Sequence, residues 1–284
     1  MEMLEPVRRV IVVVLDGLRA DAVDTLSLPT LLHLRRTAAH CTATTVAPSV
    51  TWAVMTTLMT GVAPALHGVV SDSIHLPRPR TDLFPIPQLL GNAGMPTTAI
   101  LASIPAIFRG VAARIGRRLG IGHLRFVGCG ADDILDSARD RLAAQERGLI
   151  FLHWPDADRA GHDHGWMSPA YVRAARTLDV ALGRLIDELD LENDPDTLLV
   201  ALADHGGGGV DPKDHVSDHV HDRAVPLVFA GARVIPGDLG TGISLLAVPA
   251  TILWALGLER PSNYGAQPLS GVIRRHRIPA AVVA

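Results

Sequence analysis

The sequence predicts an α/β fold, a mostly parallel central sheet with helices on both faces, and three observations carry that expectation. Residues 10–15 (VIVVVL) form a continuous β-branched apolar run, the composition of a strand buried on both faces rather than one alternating between core and water. That run stops at Asp16, and the same break recurs: residues 149–152 lead to Asp156 and Asp158, and residues 198–202 lead to Asp204 and His205. A further strand of this type is expected at residues 225–229. Helical periodicity fills the gaps, most clearly over residues 169–189, where Ser168 offers an N-cap and Pro169 suits the first helical position. Strands alternating with helices make a parallel sheet covered on both faces. Ligands bind such sheets beyond the carboxyl ends of the strands, so the strand-end Asp and His residues are expected to meet there.

With 284 residues, 48% hydrophobic and 19% charged, the chain can bury a large core, and one domain over residues 1–284 is expected. No apolar run approaches the roughly 18 to 20 residues of a membrane helix, and Arg8 and Arg9 lead straight into the first strand instead of into a secretory leader. The expectation is a soluble, cytoplasmic protein with no membrane partner and an open oligomeric state. A net charge of −3 shows no basic excess, which argues against a nucleic-acid partner. Cys41 and Cys129 make no metal-type pair and are read as buried free thiols. Lys213 is the single lysine beside 25 arginines, a bias that reflects base composition better than chemistry. Thirteen histidines are many for this length and call for a local reason.

Four stretches carry chemistry. Asp158 and His162, four apart in D-R-A-G-H, share a face if the segment is helical and then suit one metal ion; a surface loop with incidental polar residues would read the same way. Asp204 and His205 offer two adjacent ligands before Gly206 to Gly209, whose lack of side chains lets other groups approach. The segment D-H-V-S-D-H-V-H-D (214–222) holds three histidines in seven positions, a density that packing does not call for. Neutral imidazole with carboxylate suits zinc, and no nearby thiolate points to a structural site. The fourth stretch has hydroxyls rather than acids: A-P-S-V-T-W (47–52), then T-G-V-A-P-A-L-H-G-V (60–69). Thr51 opens an apparent helix, and a hydroxyl there becomes a nucleophile if a metal and a helix N-terminus favour its alkoxide.

Taken together these residues resemble the alkaline phosphatase superfamily, and within it the nucleotide pyrophosphatase/phosphodiesterase branch. D-G-L-R (16–19) is similar to that family's opening metal-aspartate motif, and L-P-T-L-L-H-L from Leu28 to the helix after it. P-S-V-T-W resembles the nucleophile segment, T-G-V-A-P-A-L-H-G the T-G-x-x-P-x-x-H-G stretch, D-R-A-G-H the D-x-x-G-H motif and A-D-H-G the S-D-H-G motif, all in the family's order. The resemblance implies two divalent metal ions, zinc in kind. One would be held by Asp16, Asp204, His205 and the Thr51 oxygen, the other by Asp158, His162 and a later histidine. His215, eleven residues before Pro226, is preferred for the last position, and His219 stays open. The implied reaction is hydrolysis of a small-molecule phosphoester by in-line displacement, with Thr51 as the catalytic nucleophile, a phospho-threonine intermediate and charge relief from the Trp52 N–H. The Trp52 ring is expected to be core packing.

Departures narrow the reading. Trp52-Ala53-Val54 follows the nucleophile where nucleotide-cleaving members commonly carry other residues, which puts nucleotide specificity in doubt. The chain is expected to lack a large cap. The sulfatase signature is absent, since Cys41-Thr42-Ala43-Thr44-Thr45 lacks its Pro and Arg. The phosphoglycerate mutase branch resembles this chain in its metal set but uses serine and a large inserted domain, so mutase activity ranks behind hydrolysis, with a phosphomutase-type member kept as an alternative. A phosphonate hydrolase also fits these motifs, as does a non-catalytic metal-binding member, although the presence of Thr51 disfavours the latter. Arg109, Arg114, Arg117 and Arg118 could draw an anionic substrate, although a solvated helix face explains them as well. P-A-T-I-L-W-A-L-G (249–257) reads as a packing helix.

Overall fold

The computed structural model describes residues 5–71 and 83–274. Its centre is one eight-stranded sheet built from β1 (Arg9–Leu15), β2 (Ala39–Thr44), β3 (Thr97–Ala102), β4 (His123–Val127), β5 (Gly148–Trp154), β6 (Thr197–Leu202), β7 (Ala224–Ala230) and β8 (Gly237–Asp238). The spatial order is β4-β3-β5-β1-β6-β7-β2-β8, with helices on both faces. β1 is central and its residues 10–15 are essentially inaccessible, as the unbroken apolar run requires of a strand covered on both sides. All pairings are parallel except those of β7, which runs against both β6 and β2. Residues 225–229 are therefore a strand, as expected, but one that the chain enters at the edge where β1, β5 and β6 end. Composition is blind to strand direction, so the sequence could not reveal this reversal.

Register decides which residues meet. Val14 pairs with His153 on one side and with Leu202 on the other. Two residues further on, Asp16 and Asp204 leave the sheet side by side. β2, β3 and β4 carry no long apolar run. β2, AHCTAT, alternates between buried and exposed positions near the sheet edge, and its mixed composition hides it from a search for continuous runs.

The helix expected at residues 169–189 spans Pro169–Glu188, and the Ser168 hydroxyl accepts the Tyr171 N–H at 3.3 Å as its cap. D-R-A-G-H does turn helically, within the helix Asp156–His164. Thr51 is the first residue of the helix Thr51–Thr60. The late P-A-T-I-L-W-A helix, Ala247–Ala255, is buried over nearly its whole length and packs rather than reacts. Cys41 is buried, and burial pushes its thiol up to about 12. Cys129 corrects the expectation of two buried thiols: it lies in the exposed turn before the helix Ala131–Ala144. Among the described residues no helix is long and apolar enough to cross a membrane.

Candidate metal centre

Two clusters form where the strands end. Asp16 follows β1 directly, Asp204 and His205 follow β6, and all three are buried. His205 Nε2 lies 3.3 Å from Asp16 Oδ1, 3.6 Å from Asp204 Oδ2 and 3.2 Å from Thr51 Oγ1. The second cluster is Asp158, His162 and His215. Asp158 and His162 stand one helical turn apart, with His162 Nε2 3.3 Å from Asp158 Oδ1, and His215 Nε2 approaches the same oxygen at 3.9 Å. Within each cluster the candidate ligand atoms lie within 4.8 Å of one another. The clusters adjoin: His205 Nε2 is 3.9 Å from Asp158 Oδ1, and the His205 and His215 rings stack at 3.7 Å between centroids and 10° between planes.

Hydrogen bonding prepares these side chains for a cation. Asp204 Oδ1 accepts the N–H groups of Gly17 at 3.3 Å and His205 at 3.0 Å, while its Oδ2, fully buried, has no hydrogen-bond partner among the described residues. A buried carboxylate oxygen without a donor is costly, and three carboxylates crowded below the surface repel one another. A divalent cation relieves both penalties. Each cluster histidine presents Nδ1 to a backbone carbonyl: His162 to Lys213 at 2.9 Å, His205 to Gly206 at 2.8 Å and His215 to Ser49 at 2.8 Å. A carbonyl only accepts, so Nδ1 carries the proton and Nε2 is the atom that faces the carboxylates, the arrangement that metal-binding imidazoles favour.

Burial lowers the pKa of His215, which keeps it neutral and ready to ligate at neutral pH. The hydrogen bond to Asp158 raises His162 to about 9. In the metal-free protein at pH 7 His162 is therefore protonated, and a metal ion must displace that proton. Calorimetric titration with Zn²⁺ in buffers of different ionisation enthalpy is expected to show one proton released at pH 7 on filling this cluster. Affinity there should rise roughly tenfold per pH unit until about pH 9 and then level off. Proton release of zero at pH 7 would remove His162 from the ligand set.

The surrounding loops are fixed by close backbone approaches and hydrogen bonds around the two clusters. A side chain at Gly17, where φ is +73°, would collide with the Asp158 backbone, so only glycine lets the turns after β1 and β5 close up. The Gly17 carbonyl accepts from Trp166 Nε1 at 2.9 Å and from the Tyr171 hydroxyl at 3.1 Å. At Gly207 an added Cβ would overlap the Trp166 ring, which accounts for part of the glycine run after His205. Ser49 donates its hydroxyl to the His215 carbonyl at 2.5 Å while its own carbonyl takes the His215 ring, tying the Thr51 segment to that loop. Asp222, buried, accepts the N–H of Gly209 at 2.8 Å, the N–H of Ser217 at 3.1 Å and the Ser217 hydroxyl, and so joins both halves of the 203–223 connection. No local signal separated Asp222 from its acidic neighbours, because its role depends on what the loop folds onto.

Other expected residues lie apart from the clusters. His219 is exposed and stacks edge-on with His221 at 4.6 Å, not with Asp158 and His162. His67, in the T-G-x-x-P-x-x-H-G stretch, is buried; Nδ1 accepts the Val69 N–H and Nε2 meets Thr57 Oγ1 at 3.1 Å. Burial takes its pKa down to about 4, so it is a neutral brace for the Thr51 helix. Trp52, whose ring is expected as core packing, is 39% exposed and is not among the buried residues of its helix. Arg109, Arg114, Arg117 and Arg118 lie on the largely exposed helix Ala106–Leu119, and Arg109 is engaged with Ser103 Oγ and the Ile104 carbonyl.

Comparison with known proteins places the chain in a family and a fold. A family model described as type I phosphodiesterase / nucleotide pyrophosphatase matches residues 10–85 and 122–246. Phosphopentomutase of Shewanella loihica is 32% identical over 137 residues, 48% of this chain and 31% of the relative. The 2,3-bisphosphoglycerate-independent phosphoglycerate mutase of a Synechococcus species is 32% identical over 148 residues, 49% of this chain and 27% of the relative. The chain thus spans about a third or less of the length of these relatives. Among solved structures, an inactive murine ectonucleotide pyrophosphatase / phosphodiesterase 5 in complex with AMP superposes with a TM-score of 0.69 at 17% identity, covering 91% of this chain and 97% of that one. An alkaline phosphatase superfamily protein of Vibrio parahaemolyticus gives 0.69 at 18%, covering 95% and 71%. At these identities the structural likeness speaks for the fold.

Proposed function

From the premise that this chain belongs to the type I phosphodiesterase / nucleotide pyrophosphatase family, we propose that it is a two-metal phosphoester hydrolase of the alkaline phosphatase superfamily. The observation that carries the proposal is the Thr51 hydroxyl, 3.2 Å from His205 Nε2 in the first of two adjoining Asp/His clusters. Asp16, Asp204, His205 and Thr51 would hold one divalent ion, and Asp158, His162 and His215 the other, with zinc suited to this imidazole and carboxylate set. Such ions supply positive charge to the phosphoryl oxygens and lower the pKa of the hydroxyl beside them.

Thr51 performs the bond-making. Its Oγ1 attacks phosphorus in line with the ester oxygen, the P–O ester bond breaks, and the products are phospho-Thr51 and the free alcohol. Water then attacks phosphorus, restoring the Thr51 hydroxyl and releasing the phosphate moiety. The N-terminus of the helix Thr51–Thr60 favours negative charge on Oγ1 and on the transferring group, with the Trp52 N–H as the donor nearest to it in sequence. Burial of Asp16, Asp204 and His205 strengthens each of these interactions. In this reading the chain is a single cytoplasmic catalytic domain without a large cap, acting on a small-molecule ester.

A phosphomutase-type reaction is the second reading, favoured by one observation: the curated relatives named above are mutases. Comparing turnover of p-nitrophenyl phosphate, its bis-ester, a phosphonate monoester and a sulfate, alongside interconversion of pentose phosphates and phosphoglycerates, separates hydrolase from mutase. Diester or phosphonate hydrolysis above sulfate is expected. Two bound zinc ions with no turnover of any of these would sink the hydrolase. Metal content of His215→Ala and His219→Ala tests the last ligand: His215→Ala is expected to drop from about two equivalents to one, and His219→Ala to keep both.

A further inference from the structure

His153 is the one polar side chain in β5 between Leu149 and Trp154, a strand that is otherwise apolar and buried. A polar group there needs a partner. His153 pairs in register with Val14, two residues before Asp16, and with Leu101 on the other side. This register sends its ring to the end of β1, where Nε2 meets Asp16 Oδ2 at 2.8 Å. Only 15% of the His153 side chain remains accessible. A carboxylate only accepts, so Nε2 is the protonated nitrogen, the reverse of the tautomer carried by His205 and His215.

We propose that His153 is a positioning residue for Asp16: it clamps Oδ2 with its Nε2–H so that Oδ1 is turned into the first cluster. The inference rests on the reading that the clusters hold metal ions. The two oxygens of Asp16 are divided as those of Asp204 are. Asp204 has Oδ1 held by two backbone N–H groups and Oδ2 facing His205; Asp16 has Oδ2 held by His153 and Oδ1 at 3.3 Å from His205 Nε2. Backbone amides do this for the aspartate after β6, and a side chain from the neighbouring strand does it for the aspartate after β1. With its donor facing the carboxylate, His153 does not compete as a ligand. It restricts Asp16 to one rotamer and enforces one-oxygen coordination. Partners of this kind are worth about 10- to 100-fold in metal affinity.

The test is Zn²⁺ titration against a competing chelator, read as stepwise affinities, on the full-length wild type and on His153→Phe, His153→Leu and His153→Gln, with the Tm of each metal-free protein measured in parallel. The wild type is expected to bind about two equivalents; failure there would defeat the two-metal reading itself and is thereby told apart from failure of this inference. His153→Phe and His153→Leu, which lack a donor but differ in bulk, are expected to weaken one equivalent by about 10- to 100-fold and leave the other unchanged. His153→Gln, which regains an N–H donor, should recover most of that loss. Wild-type affinity for both equivalents in either donor-less variant would overturn the proposal. So would a weakening that tracks the metal-free Tm and is not rescued by Gln, since that is the signature of packing alone.

Discussion

Thr51→Ala is expected to lower kcat/KM for the best ester substrate by at least about 10³-fold while the protein still binds about two metal equivalents. Alanine removes the only atom that forms the covalent bond. The six Asp and His candidates for ligation stay in place, and their positions are set by strand ends and by backbone hydrogen bonds rather than by the Thr51 methyl or hydroxyl. The loss should therefore appear in turnover and not in metal content, and both must be measured on the same samples. Thr51→Ser keeps an oxygen on Cβ and is expected to retain activity within about tenfold of wild type. Residual activity in Thr51→Ala above a tenth of wild type would remove Thr51 from the nucleophile's role, whatever the substrate. Loss of metal together with activity would show that the hydroxyl is chiefly a ligand.

Asp222→Ala is expected to destabilise the metal-free protein by about 2–4 kcal/mol, measured by urea denaturation. Asp222 is 1% exposed, and its two oxygens accept from Gly209, from the Ser217 backbone and from the Ser217 hydroxyl. Removing the carboxylate leaves those donors facing a small void that is poorly placed for water. Asn restores one acceptor oxygen and should recover roughly half of the loss. A second effect follows from position, because Ser217 is two residues from His215. Loosening it should weaken the Asp158, His162 and His215 cluster while leaving the Asp16, Asp204 and His205 cluster nearly intact. A stability change below about 0.5 kcal/mol would mean that solvent already satisfies the same groups.

The parts of the fold that could be read in advance were those dictated by composition and local spacing. The unbroken apolar run before Asp16 required a strand covered on both faces. Asp158 and His162, four residues apart, required only a helical turn to face one way. Ser168-Pro169 marked its helix start through capping chemistry. What escaped was non-local. The reversal of β7 depends on which neighbour it pairs with, and β2 alternates too weakly to announce itself. His153 and Ser49 each act on a residue far away in the chain, so no window of sequence contains both partners. The same limit kept His215 and His219 side by side as candidates, although only the first is folded back against Asp158.

The reversed β7 has a consequence for how this molecule can change over generations. Because β6 ends and β7 begins at the same edge of the sheet, residues 203–223 leave the sheet and rejoin it without crossing either face. Lengthening such a connection costs only about 0.6 kcal/mol for each doubling, and no packed helix need move to make room. Asp204 and His205 are anchored at its start and Asp222 near its end, whereas Val210 between them is 75% exposed and is where an insertion would disturb least. New substrate contacts can thus be added beside the metal centre by insertion at a single point, with the eight-stranded frame left as it is.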